Sequence, residues 1–178
     1  MKTLISTILA TLLISIVLTS CNLNNEDNDK PVQGKITGTL INTSDCLFQK
    51  SAHTDDETPD TLSCVYFNFD KKNEKLTLSH KNAAFNCCPG ELSTTFSLSG
   101  DTLIIEEAEE TSGCNCNCLF DLDMKIEGII SKTYVIKFVE PYIGDHPVII
   151  FDIDLTSEQQ GSFCLTRKFY PYGLSIID

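Results

Sequence analysis

The chain of 178 residues has no tryptophan, two methionines and a single arginine, Arg167. Its 13 basic residues face 25 acidic ones, for a formal charge of −12. Polyanion binding needs clustered Lys and Arg, so nucleic acid and anionic lipid headgroups are excluded as electrostatic partners. The three histidines, His53, His80 and His146, fall in unrelated segments and suggest no histidine-based metal site. Gly-x-Ser-x-Gly, His-Glu-x-x-His, a Walker loop and a dinucleotide fingerprint are all missing, so no enzyme activity and no cofactor are expected. What the chain does have is 42 % hydrophobic residues, enough for a core, and nine cysteines. Its length fits one domain.

Lys2 precedes an almost unbroken apolar run from Leu4 to Leu18. At about 15 residues this run is short for a membrane span, which needs about 20, and it suits the apolar region of a signal peptide. Leu18-Thr19-Ser20-Cys21 resembles a bacterial lipobox. The resemblance implies cleavage after residue 20 and lipidation of Cys21, with acyl chains as the membrane attachment. Several chains on one residue anchor stably where one is marginal. Residues 21–31, including Glu26, Asp27 and Asp29, form a polar acidic tether without hydrophobic periodicity. An acidic run just after the lipidated cysteine also resembles the surface-export signal of Bacteroidetes lipoproteins. The expected location is the cell envelope, anchored at the outer membrane, with surface display implied by the export-signal resemblance and the periplasmic side left open.

From residue 32 to 178 the apolar spacing is two, not 3.6, which predicts a single all-β domain. The predicted strands are Val32–Asn42, Thr61–Asp70, Lys75–His80, Leu92–Ser99, Thr102–Glu109, Cys114–Glu127, Lys132–Val139, Val148–Thr156 and Ser162–Tyr170. Spacings near ten residues with tight turns between them favour an antiparallel β-sandwich, or a barrel-like closure of the same strands, over a βαβ fold. Within Cys114–Glu127 the even positions are Cys114, Cys116, Cys118, Phe120, Leu122, Met124 and Ile126. As one strand this places three thiols on the apolar, core-facing side.

With Cys21 set aside, Cys46, Cys64, Cys87, Cys88, Cys114, Cys116, Cys118 and Cys164 remain, an even number that suits a disulfide framework in an oxidising compartment. Adjacent Cys87 and Cys88 have Cα atoms only about 3.8 Å apart, too close for a bridge. Cysteines two apart on a strand lie about 6.6 Å apart, at the far limit of the usual range. The two clusters should therefore bond to each other or outward. A hairpin centred near Gly100 sets Cys88 level with the turn that precedes Cys114, so one or both of Cys87 and Cys88 should bridge to Cys114 and Cys116. Cys46–Cys64 and Cys118–Cys164 complete this expected scheme. The alternative is a metal site in which Cys87, Cys88, Cys114 and Cys116 give four thiolates to zinc or copper.

Glu106-Glu107-Ala108-Glu109-Glu110 lacks calcium-loop spacing and reads as a solvated strand end. Asp121/Asp123 and Asp152/Asp154 alternate with apolar residues and should face solvent, not form a catalytic acid pair. Asp60-Thr61-Leu62 and Asp101-Thr102-Leu103 resemble the three-residue O-glycosylation acceptor of exported Bacteroidetes proteins, with Thr61 and Thr102 as acceptors. Arg167 is expected to form a structural ion pair with one of the acids.

Four strings occur together: Asn86-Cys87-Cys88-Pro89, Cys116-Asn117-Cys118-Leu119-Phe120-Asp121-Leu122, Glu140-Pro141-Tyr142-x-Gly144-Asp145 and Gly161-x-x-Cys164-x-x-Arg167-x-x-Tyr170-Pro171-x-Gly173. Together they resemble a family of small Bacteroidetes lipoproteins of uncharacterised function. The resemblance implies export, anchoring and a shared architecture, and it transfers no catalytic residue. The resulting expectation is an envelope lipoprotein acting as a binding or structural module towards a protein or glycan, with a thiolate metal-binding lipoprotein as the alternative.

Overall fold

Residues 34–47, 58–111 and 113–167 are described by a computed structural model. They form nine strands and, among the described residues, no helix. The strands are β1 (Thr37–Thr43), β2 (Leu62–Asp70), β3 (Lys75–Asn86), β4 (Leu92–Ser99), β5 (Thr102–Glu109), β6 (Asn117–Glu127), β7 (Thr133–Val139), β8 (Ile150–Asp154) and β9 (Gln160–Thr166). They build a five-stranded sheet ordered β1-β6-β3-β2-β9 and a four-stranded sheet ordered β4-β5-β7-β8. Period-two alternation turns one face of each sheet inward. Val65, Phe67 and Phe69 of β2, Leu76 and Leu78 of β3 and Leu122, Met124 and Ile126 of β6 meet Leu103 and Ile105 of β5 and Tyr134, Ile136 and Phe138 of β7 in one buried cluster. This is the expected all-β sandwich.

The antiparallel expectation holds for every strand pair except one. β5 and β7 run parallel, with Thr102 opposite Val135 and Glu106 opposite Val139. The intervening strand β6 lies in the other sheet, so the chain crosses the core and back before it returns beside β5 in the same direction. Strand limits differ from the prediction where alternation breaks. β3 continues six residues past His80, because its pairing with β6 shifts register between His80 and Ala83. Asn82 sits at that shift with φ 62°, and its side-chain amide donates to the carbonyls of Thr58, Pro59 and Leu62. After the shift the core-facing positions change from even to odd, to Ala83 and Phe85. β6 starts at Asn117, not Cys114, so only Cys118 of the Cys-x-Cys-x-Cys run lies on its core face. Cys114 is half-buried and Cys116 is exposed.

β1 closes one side of the sandwich against β4. A Cβ built on Gly38 would lie 2.1 Å from the Phe96 ring, well inside any real contact. Gly38→Ala must push that ring out of its place, and overpacking of this kind costs about 1–3 kcal/mol. Urea unfolding should show a lowered midpoint at unchanged slope, whereas an unaltered midpoint would mean that the two strands separate freely.

Candidate functional site

The most unusual place in the sandwich is a polar cluster inside its apolar core. Ser63 opens the inward face of β2, in phase with Val65 and Phe67. His80 follows Leu76 and Leu78 on the inward face of β3, and Glu107 follows Leu103 and Ile105 on β5. Glu140 lies just past β7 and Arg167 just past β9. All five are buried, and Ser63 and His80 have 0 % exposure.

Ser63 Oγ lies 2.8 Å from His80 Nε2, and His80 Nδ1 lies 2.7 Å from Glu107 Oε1. Arg167 Nη2 donates to both Glu140 oxygens at 2.9 Å and approaches Ser63 Oγ at 3.5 Å. Its Nη1 donates to the Pro147 carbonyl and its backbone N–H to that of Thr61, so the guanidinium ties the ends of β2, β7 and β9 together. Phe138 packs edge-on against the imidazole, with centroids 5.1 Å apart. This position fulfils the expectation of a structural ion pair for Arg167.

The serine–histidine–carboxylate chain has the connectivity of an activated nucleophile. Burial works against a charged imidazole, but the Glu107 carboxylate beside it, aided by Glu140, outweighs burial and raises the His80 pKa above its ordinary value. Two basic groups, the imidazole and the guanidinium, thus face two acidic ones, Glu107 and Glu140. With no exposed atom on Ser63, the geometry supports a charge-balanced clamp between the two sheets.

That clamp makes stability depend on pH. Glu140, too, is raised, chiefly by burial, so the folded chain holds protons at both groups more tightly than the unfolded one. The His80 contribution is fully present below its unfolded pKa of about 6.5 and is lost as pH rises through the higher folded value. Unfolding free energy should therefore fall as pH rises above about 6.5, and His80→Gln should flatten that limb. A slope unaffected by His80→Gln would refute the assignment. Asp70, Asp123 and Asp154 are lowered, mainly by hydrogen bonds to their carboxylates, and act only in acid, where their stabilisation is lost as pH falls.

The eight cysteines lie at bridging distance as Cys46–Cys118, Cys64–Cys164, Cys87–Cys116 and Cys88–Cys114. Both links between the Cys87-Cys88 pair and Cys114/Cys116 agree with the expectation. The expected Cys46–Cys64 and Cys118–Cys164 pairs are wrong. The chain beyond β1 keeps running beside β6, with Ser44 and Leu47 N–H groups donating to Asp121 and Leu119 carbonyls, and so delivers Cys46 to Cys118. β9 pairs with β2 with Cys164 directly opposite Cys64, Cα atoms 4.1 Å apart. As paired, Cys87, Cys88, Cys114 and Cys116 have no free thiolate for a metal. In this disulfide-bonded form no group of three or more His, Cys, Asp or Glu side chains among the described residues could hold a metal ion.

The other predicted residues divide clearly. Asp121 and Asp123 lie on the outer face, bonded to Lys81 and to Ser79 and Asn42. Asp152 is exposed, and Asp154 caps the turn at Thr156 and Ser157. The glutamate run is not a solvated end throughout: Glu107 is buried, and Glu109 accepts from the Asn86 N–H and the Tyr142 hydroxyl. That bond to Glu109 pushes the Tyr142 pKa up to about 12. Thr61 is exposed in a turn and Thr102 is half-buried at the β4–β5 turn. Residues 1–31 with Cys21, His53 in the 48–57 stretch, and Tyr170, Pro171 and Gly173 lie outside the described residues.

An open groove of about 740 Å³ lies between the end of β1 and the β3–β4 turn, lined among others by Asn42, Asp45, Cys87, Glu91, Leu92 and Phe120. The fold and its cross-links define a disulfide-stapled β-sandwich with a buried ionic clamp. The chain matches no protein-family model, no curated protein and no solved structure.

Proposed function

We propose that this chain is a lipid-anchored outer-membrane lipoprotein, akin to the small Bacteroidetes lipoproteins it resembles, whose sandwich serves as a non-catalytic binding or structural module. The observation that carries the reading is the division of its cysteines. Cys21 ends a signal-like segment, and all eight others are paired in the folded domain. Such complete pairing suits an oxidising compartment, outside the cytoplasm. The acid excess keeps the domain away from anionic headgroups, so acyl chains carry the attachment and the acidic tether sets the standoff. A non-catalytic role is supported by the full burial of Ser63 and His80. The groove beside Cys87 and Phe120 is the surface on which a protein or glycan ligand would sit.

Cys21→Ala should abolish incorporation of labelled fatty acid and release the protein from the membrane fraction, leaving the sandwich folded. Retention of label in that variant would overturn the anchor assignment. Protease shaving of intact cells tests display, since digestion only after lysis would place the domain on the periplasmic side. An intact mass equal to that of the lipidated polypeptide alone would remove Thr61 and Thr102 as glycosylation sites.

A further inference from the structure

The four disulfides belong to two classes. Cys118 and Cys64 are buried, so Cys46–Cys118 and Cys64–Cys164 each have one sulfur-bearing residue inside the fold. Cys164 is exposed and Cys46 half-buried, but Cys87–Cys116 and Cys88–Cys114, neighbours at one end of the sandwich, have no buried cysteine at all, with Cys88 and Cys116 exposed and Cys87 and Cys114 half-buried. Their partners' Cα atoms are 5.6 and 5.5 Å apart, and because Cys87 and Cys88 are consecutive and Cys114 and Cys116 only two apart, the two bridges are neighbours.

The two cysteine segments are also held together by bonds that involve no sulfur. Asn86, itself buried, stands between them. Its Oδ1 accepts from the backbone N–H groups of Cys88 at 2.9 Å and Cys114 at 3.0 Å, and its Nδ2 donates to the Cys114 carbonyl. The Cys87 N–H donates to the Cys116 carbonyl at 3.0 Å, and the Thr111 hydroxyl donates to the Cys88 carbonyl at 3.3 Å. Glu109 fixes Asn86 in turn by accepting its N–H at 2.7 Å. None of these contacts runs through a sulfur atom.

The geometry points to a redox-gated metal site: on reduction, Cys87, Cys88, Cys114 and Cys116 remain gathered around Asn86 as four thiols that capture one thiophilic d10 cation such as Zn²⁺. Each bridge takes two electrons and two protons from a dithiol reductant, which is oxidised to its own disulfide, and two dithiols open both bridges. The incoming Zn²⁺ then displaces the four thiol protons, and four thiolates complete a tetrahedral shell. Asn86 is a positioning residue here, because it holds the backbone of both ligand segments and touches no metal. The inference goes beyond the proposed function and is independent of the lipid anchor, so loss of either leaves the other standing.

The test uses the full chain in detergent under graded reduction with a phosphine, followed by alkylation mapping and Co²⁺ as a spectroscopic probe. Cys87, Cys88, Cys114 and Cys116 should become alkylatable before Cys64 and Cys118, with strand content unchanged in the far-ultraviolet spectrum. The four-thiol form should then bind one Co²⁺ per chain, give thiolate-to-cobalt charge-transfer absorption and lose it to Zn²⁺. Asn86→Ala should weaken Zn²⁺ binding by about tenfold with all four thiols intact, as loss of an outer-shell support does. Should Asn86→Ala not fold, the Cys88→Ser/Cys114→Ser variant keeps one bridge and on reduction must bind no stoichiometric Co²⁺. Earlier release of the buried cysteines, four free thiols without the cobalt band, or undiminished binding by the double serine variant would each overturn the proposal.

Discussion

Arg167→Met is expected to destabilise the domain by about 3–5 kcal/mol, the usual cost of stranding one charge of a buried pair. The guanidinium holds both oxygens of Glu140 at 2.9 Å, and the two side chains are almost wholly shielded from water. Methionine fills much the same volume without charge, so what is lost is the partner of a carboxylate that cannot reach solvent. Glu140 must then either remain charged in the core or take up a proton, and either course costs free energy. The backbone anchor from Arg167 to Thr61 survives the substitution, which separates the ionic effect from simple fraying of β9. The Arg167→Met/Glu140→Gln double variant removes both charges and should recover a large part of the loss, because a neutral replacement of a buried pair is far better tolerated than half of one. Urea unfolding of the single and double variants decides it. A single variant within about 1 kcal/mol of the parent, or a double variant no better than the single, would mean that the clamp does not carry this stability.

The alternation of apolar residues made the sandwich and most of its strands legible, since a buried face imposes a period of two. It failed where the backbone itself departs from that period. At Asn82 the left-handed residue resets the phase, so the Ala83–Phe85 segment does not continue the pattern of Leu76 and Leu78. The polar clamp was half legible. His80 and Glu107 each stand in phase with two apolar neighbours on one strand, and that is the local signature of a polar group facing the core. Nothing local tells which strand lies opposite, so their meeting at 2.7 Å could not be read from the chain. Cysteine pairing divides in the same way. The Cys87-Cys88 links to Cys114 and Cys116 follow from one hairpin, β4–β5, whose register the turn at Gly100 sets. The remaining pairs depend on β1 lying beside β6 and β2 beside β9, associations across separations of 72 and 100 residues.

Those long separations carry the second large effect. By the chain-entropy estimate, closing a loop of about 100 residues contributes about 4.7 kcal/mol, against about 3.5 kcal/mol for one of about 26 residues. Cys64–Cys164 spans 100 residues and Cys88–Cys114 spans 26. Replacing Cys64 and Cys164 together with alanine should therefore cost at least about 1 kcal/mol more than the same change at Cys88 and Cys114, whose loop the enclosing Cys87–Cys116 bridge already closes. The native side widens the gap. Among the described residues β9 is an edge strand, bonded only to β2, and the bridge sits within its seven-pair ladder. Without the bridge β9 can peel from β2, and it takes with it Arg167, whose position next to Ser63 and Glu140 depends on where β9 ends. The Cys64→Ala/Cys164→Ala variant should then lose part of the ionic clamp as well, and adding Arg167→Met to it should cost less than Arg167→Met costs in the parent. Equal costs in the two backgrounds would show that β9 stays docked through its backbone ladder alone. A smaller loss at Cys64–Cys164 than at Cys88–Cys114 would instead show that the unfolded chain keeps β2 and β9 together without the cross-link.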